Sequence, residues 1–215
     1  MTRWLTQLIM VPAIILVPEN FRSAGSEISR VQKNYQVRIA QESYLVINGL
    51  TNLNEFACNY LGDFYQDTLT IDAVPDGNQL QLNNAVLKLR TTRFDCKNYQ
   101  MNLDFKDLLQ ADQYPYIIIR VLNINNSSQE IKGTLAQNPR PNAMFLSVNI
   151  EIAGQVKDYT LPVDVRVMGD DRYYLGNLSL DIQDFGIEPP KKLFGLVRVS
   201  EKISIDFMVR IILVA

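Results

Sequence analysis

Apolar and polar residues alternate through the C-terminal part of the chain. Leu178, Leu180 and Ile182 are apolar, with Ser179, Asp181 and Gln183 polar between and after them. Further on, Val197, Val199, Ile203, Ile205, Phe207, Val209 and Ile211 share the chain with Arg198, Ser200, Lys202, Ser204, Asp206 and Arg210. A period of two over that length predicts strands with one dry face and one wet face. Between them lies Phe185-Gly186-Ile187-Glu188-Pro189-Pro190, where the chain must leave the sheet, because adjacent prolines lack the N–H groups a central strand uses.

The same reading places strands upstream. Residues 35–47 read as one strand, followed by a turn at Asn48-Gly49. Phe56, Cys58 and Tyr60 then fall on one face. Residues 64–74 form a strand ended by a hairpin turn at Pro75-Asp76-Gly77, and Leu80, Leu82, Val86, Leu87 and Leu89 form the returning strand. Residues 116–122 are apolar at nearly every position, which predicts a strand buried on both faces. Residues 125–128 read as a turn and residues 137–142 as a loop. Residues 145–152 and 156–167 make a hairpin about Ala153-Gly154, and Gly169-Asp170-Asp171 turns into a strand running from residue 173 to 182. Asn177-Leu178-Ser179 is read as turn chemistry rather than as a glycosylation acceptor.

One segment breaks the alternation. Within residues 101–115, Met101, Phe105, Leu108 and Leu109 recur at helical spacing, Asn102 or Asp104 can cap the start, and Pro115 follows the end. There is no internal repeat, low-complexity tract or interdomain linker. The expected fold is therefore all-β: one antiparallel barrel or sandwich with one short helix covering it. The residues on its inner face can fill a solid core or line a ligand cavity, and residue type does not separate the two.

The start of the chain differs. Arg3 precedes an apolar run over residues 5–17, followed by Ser23-Ala24-Gly25. A positive region, an apolar run too short to span a bilayer and small residues at the −3 and −1 positions predict a signal peptide over residues 1–25. The alternative is a helix packed on the domain, which Pro12 and Pro18 disfavour. Residues 26–34 are then a polar leader, and the domain occupies residues 35–215. No second apolar run of comparable length follows, so no transmembrane segment is expected after cleavage. The expected location is periplasmic or secreted.

Composition removes several classes of chemistry. The chain has no histidine, which excludes Ser-His-Asp and Cys-His catalysis and histidine metal sites. Net charge is −2 with no basic stripe, so nucleic acid is not an expected partner. The serines lack a G-x-S-x-G setting. Asp170-Asp171 and the pair Asp181 and Asp184 sit in a turn and at a strand end, where solvated carboxylates are ordinary. No enzymatic activity, metal or cofactor is expected. Phe56-Ala57-Cys58 and Phe94-Asp95-Cys96 repeat one pattern. In an exported chain the two cysteines form a disulfide; the alternative is two buried thiols packing as small apolar residues.

Several fragments, in order, resemble the YceI-like family of lipid-binding, lipocalin-like proteins. These are residues 43–52, Phe94 with residues 101–109, Tyr114-Pro115-Tyr116-Ile117, Gly133-Thr134-Leu135 and Asp184-Phe185-Gly186-Ile187. The segment before the helix, Lys97-Asn98-Tyr99-Gln100-Met101, departs from the charged, often histidine-bearing form common in that family. The resemblance implies an elongated lipocalin-like barrel, periplasmic in most members, with an isoprenoid chain (a quinone or prenyl lipid) along its axis in some. It implies that Phe105, Leu108 and Leu109, on a helix across a barrel mouth, help to close the pocket, with Phe185 and Ile187 near the barrel end. No polar residue is identifiable from it as a head-group ligand. The alternative is an exported barrel with a filled core that binds another envelope protein. A homodimer stays open.

Overall fold

The computed structural model describes residues 31–64, 68–125, 143–192 and 197–214. The expected signal peptide, most of the leader, the turn after Asn125, the loop at residues 137–142 and Gly133-Thr134-Leu135 lie outside them. Among the described residues, thirteen strands and one α-helix follow in order: β1 (Lys33–Ile39), β2 (Tyr44–Thr51), β3 (Glu55–Tyr60), β4 (Leu69–Asp76), β5 (Gln79–Asn83), β6 (Val86–Arg90), β7 (Phe94–Asp95), α1 (Tyr99–Leu108), β8 (Tyr116–Asn125), β9 (Ala143–Ile152), β10 (Gln155–Met168), β11 (Asp171–Asp181), β12 (Lys191–Lys192) and β13 (Val197–Val214).

The strands close into a ring, β1-β4-β5-β8-β9-β10-β11-β13, completed by pairing of β13 with β1, and every ladder is antiparallel. Closure leaves no edge strand in the ring. The long alternation in β13 is what joins it. One flank of β13 pairs with β11; the other pairs first with β2 and then with β1. β8 is shared in the same way, by β6 near its start and β5 near its end. At the second end of the barrel the wall is therefore β13-β2-β3-β7 on one side and β8-β6 on the other.

The gap between β7 and β6 is closed by other means. Leu61 N–H donates to the Arg93 carbonyl (2.8 Å), Thr91 N–H to the Pro115 carbonyl (2.9 Å) and Arg90 N–H to the Tyr60 hydroxyl (3.3 Å). Tyr60 packs on Phe64 and Phe94, and Phe94 on Phe105 of α1, with ring centroids 5.0–5.2 Å apart. The register Asn59↔Asp95 and Tyr60↔Phe94 brings Cys58 opposite Cys96, and the two form a disulfide with Cα atoms 3.9 Å apart. The start of α1 is tied to the same place. Asn102 accepts from Cys96 N–H (2.7 Å) and donates to Asp95 (2.9 Å), and Asp95 also accepts from Lys97 N–H (3.0 Å). Those two hydrogen bonds, Asn102's the larger, hold the Asp95 carboxyl below its ordinary pKa.

Several sequence expectations are corrected. Residues 35–47 form two strands, not one. The chain turns between Ile39 and Tyr44, where Ser43 N–H donates to the Ala40 carbonyl (3.1 Å) and the buried Ser43 hydroxyl accepts from Arg210 N–H (3.0 Å). Asn48-Gly49 does not turn. It lies inside β2, with the Asn48 amide donating to Asp206 (2.7 Å) and the Phe56 ring lying over Gly49. The turn comes later, where Asn54 N–H donates to the Thr51 hydroxyl (2.9 Å). Pro75 and Asp76 stay in β4, paired with Leu80 and Gln79, and Gly77 and Asn78 alone make the turn. Pro75 lies past the last β1 partner, Ala73, so its missing N–H breaks no ladder there. The strand expected over residues 64–74 begins at Leu69, and its returning partner is split into β5 and β6 by Asn84 in a left-handed conformation.

The helix starts at Tyr99, and Asn98 rather than Asn102 or Asp104 is its cap, accepting from Met101 N–H (3.0 Å). Residues 116–122 are not buried on both faces. Ile117 is buried, but Leu122 is 40% exposed, and a bulge between Val121 and Asn123 switches the inward position from odd to even numbers. Asn177 is in mid-strand, donating to Ser204 (2.7 Å) and Asp206 (2.6 Å), not in a turn. The hairpin at Ala153-Gly154 stands, with both residues at positive φ as a two-residue hairpin turn requires. So does the exit from the sheet after β11, a 3-10 turn over Ile182–Phe185 closed by Gly186 at φ +68°.

Candidate ligand-binding cavity

The barrel is hollow. Its axis holds a cavity of about 530 Å³, within the range of small-molecule sites. The inward positions follow from strand parity: Ile203, Ile205, Phe207, Val209 and Ile211 on β13, and Arg172, Tyr174 and Leu178 on β11. The β13 residues are only half-buried although they point inward, because they face open space and not another side chain. At Gly176 the wall has no side chain, and the ring of Phe207, its cross-strand partner, lies over it. An added Cβ there would meet Phe207 Cζ at 2.5 Å, so glycine lets the ring lie flat and keeps the bore open.

The two ends differ. The end near α1 is packed: Leu89, Leu109, Ile117, Ile152, Leu161, Ile182, Phe185 and Ile187 line it and are all buried. The opposite end carries the β4–β5 turn and the start of β11. There Tyr35, Ile71, Leu80, Ile124 and Ile211 line the cavity and remain half-buried. This is the open end.

All five residues singled out in the sequence line the cavity, and the fold brings them together at one end. Phe105 and Leu108 project from the last turns of α1. Leu109 follows as its C-cap, 7% exposed, its N–H donating to the Phe105 carbonyl (3.1 Å). Phe185, 2% exposed, and Ile187 are set by the turn after β11, where Ile187 N–H donates to the Ile182 carbonyl (3.2 Å). Phe185 also stacks on Tyr159 with centroids 6.3 Å apart. The helix therefore forms the floor of the cavity and not its mouth, contrary to the sequence expectation. Burial, then the neighbouring Asp184 carboxylate, push the Tyr159 hydroxyl up to about 12.

Sequence reasoning missed the polar wall. Arg172 and Tyr174 share the parity of Leu178 and Leu180, so a charged residue in phase with a dry face was the available signal. The carboxylate pairs do not converge on the cavity. Asp171 pairs with Arg210 (2.7 Å), which also reaches Glu42 (2.7 Å). Asp181 accepts from Gln183 N–H (2.9 Å) and Asp184 from the Tyr159 hydroxyl (3.4 Å). Among the described residues no group of three His, Cys, Asp or Glu side chains could hold a metal, and no helix is long and apolar enough to cross a membrane.

The model of the YceI-like domain matches residues 35–211. The chain belongs to the YceI-like family. That makes it a β-barrel of a family that binds hydrophobic, lipid-type ligands, and the apolar cavity is the matching feature. Among solved structures, BcnA of Burkholderia cenocepacia is similar at 15% identity and a TM-score of 0.54, over 79% of this chain and 96% of that one. The Campylobacter jejuni YceI protein is similar at 11% identity and a TM-score of 0.45, over 98% and 97%. At 15% identity the likeness to BcnA is one of fold, the lipocalin-like barrel. No curated protein matches the sequence.

Proposed function

We propose that this YceI-like protein is an exported carrier that holds an apolar isoprenoid-type chain, of a quinone or polyprenyl lipid, along the barrel axis for transport or storage. The observation that carries the reading is the apolar cavity of about 530 Å³ in a chain of this family. An isoprenoid chain offers no charge along its length, so its affinity must come from apolar surface removed from water, about 2.5 kcal/mol for each 100 Å². A wall of Ile, Leu, Val and Phe supplies that, and its preformed shape spares the protein the cost of ordering on binding. The Cys58–Cys96 disulfide supports export, since such bonds persist in oxidising compartments such as the periplasm or the exterior. The other sequence reading, an interaction module with a filled core, is disfavoured by the open space in the barrel.

The test is mass spectrometry of an organic extract from protein purified out of its own cells. An isoprenoid lipid at near-stoichiometric amount is expected. An empty extract, together with no uptake of an added polyprenyl lipid by the purified barrel, would overturn the reading.

A further inference from the structure

We propose that Arg172, with Tyr174 beside it, forms a head-group site at the open end of the cavity, selective for a lipid that ends in an anionic oxygen group, a carboxylate or phosphate. This rests on the carrier reading above and narrows it to the head of the chain.

Arg172 is on the inner face of β11, opposite Val167 of β10 and Ile211 of β13. Tyr174, the next inward residue, is opposite Val165 and Val209. The neighbours of Arg172 across both ladders are therefore apolar. Its Nη1 donates to the backbone carbonyls of Gly169 (3.0 Å) and Asp171 (3.1 Å), which fixes its orientation. Its Nε–H is buried and has no hydrogen-bond partner. No carboxylate among the described residues pairs with it; the adjacent Asp171 side chain turns to the outer face and bonds Arg210 at Nε (3.2 Å) and Nη2 (2.7 Å).

This is not how a merely structural arginine sits. At a barrel mouth such a side chain runs its stem along apolar wall and leaves its charged head in water. Here a donor of a permanent cation is kept dry and unpaired, an arrangement that is unfavourable until an acceptor arrives. A negatively charged oxygen is the acceptor a guanidinium binds best. Burial raises the pKa of the Tyr174 hydroxyl, which keeps it a neutral O–H able to donate to the same oxygen group.

The distance suits one chain. From Arg172 to Leu180 is eight residues of β11, about 26 Å along the strand and roughly 20 Å along the axis at a usual barrel tilt. The head would rest at the open end and the chain would run down to the floor formed by Leu108, Leu109 and Phe185. The wall between is apolar, so a head inserted the other way would find no donor.

The experiment is calorimetric titration of the full chain with three probes sharing one tail: farnesol, farnesoic acid and farnesyl phosphate. Both acids should bind about tenfold tighter than the alcohol, or more, the value of a charge-assisted hydrogen bond. Whichever acid binds tighter names the head class. Arg172→Met should erase the preference between acid and alcohol, Arg172→Lys should keep part of it, and Tyr174→Phe should lose a smaller part. Equal binding of all three probes by the parent protein overturns the head-group site while leaving the carrier reading intact. So does a preference that survives Arg172→Met. No binding of any probe overturns the carrier reading itself and the head-group site with it. The comparison of probes on the parent protein needs no variant to fold.

Discussion

Replacing Ile205 by Trp separates a hollow barrel from a solid one. Ile205 is in the middle of β13, opposite Leu178 on one side and Ile47 on the other, and its side chain lines the cavity. Leu180 is the control. It is one inward position further along β11, opposite Ile203, buried at 4% exposure and not part of the cavity lining. In a packed core the added ring overpacks, at a cost of about 1–3 kcal/mol. That is the expected result for Leu180→Trp. At Ile205 the ring has about 530 Å³ of open space before it, so stability should stay within about 1 kcal/mol of the parent.

Binding should change in the opposite sense. A ring that covers on the order of 100 Å² of wall removes that area from contact with a chain, about 2.5 kcal/mol, or close to two decades in Kd. Urea melts of the parent and both variants measure the first quantity, and displacement of a fluorescent apolar chain measures the second. If Ile205→Trp destabilises as much as Leu180→Trp and leaves binding untouched, the space around Ile205 is packed in solution and the reasoning fails.

Reducing the Cys58–Cys96 bond, or replacing both cysteines by Ala, should lower stability by about 4 kcal/mol in the chain-entropy model for a separation of 38 residues; urea melts with and without reductant measure it, and a loss below about 1 kcal/mol would show that the β3–β7 pairing holds unaided. Because burial and Asp184 push the Tyr159 hydroxyl up to about 12, the folded protein keeps a phenolic proton that the unfolded chain releases near 10. The stability from that group is therefore complete below about pH 10 and lost as pH rises toward 12; Tyr159→Phe should flatten the fall in urea midpoint over that window, and an unchanged slope would contradict the assignment.

Strand identity was legible in the sequence because period two survives whatever the strands enclose. A barrel was expected, but which strands close it was not legible, because β13 alone does not say that it serves β2 along one stretch and β1 along the next. Asn48-Gly49 read as a turn since that dipeptide favours one locally; the ladder with β13, the bond from Asn48 to Asp206 and the Phe56 ring over Gly49 override the preference. Residues 116–122 read as doubly buried because the bulge after Val121 hides a change of face. The disulfide emerged from the matched Phe-x-Cys patterns, but the register pairs Phe94 with Tyr60 while Phe56 lines the cavity, so the two phenylalanines do different jobs. Phe105, Leu108, Leu109, Phe185 and Ile187 were reachable through family resemblance. Arg172 was reachable from parity alone.

A hollow barrel gives up core packing where it is hollow, and an unfilled cavity costs stability in proportion to its volume. This chain keeps one end of the barrel packed. Several of the least exposed residues, Leu89, Thr91, Val163, Cys58 and Phe185 at 0–2%, gather toward α1 and mid-barrel, together with the disulfide and the Tyr60–Phe94–Phe105 aromatic row. The open half keeps buried residues such as Ala73 and Met144, but the disulfide and the aromatic row are at the other end. It is held by ladders that run unbroken from β1 through β4 and β5 to β8 and close again at β13. Backbone hydrogen bonds of that kind do not depend on what fills the lumen, whereas side-chain packing does. The packed end thus supplies stability and the floor of the cavity, and the open end can hold or release an apolar chain without unfolding the ring around it.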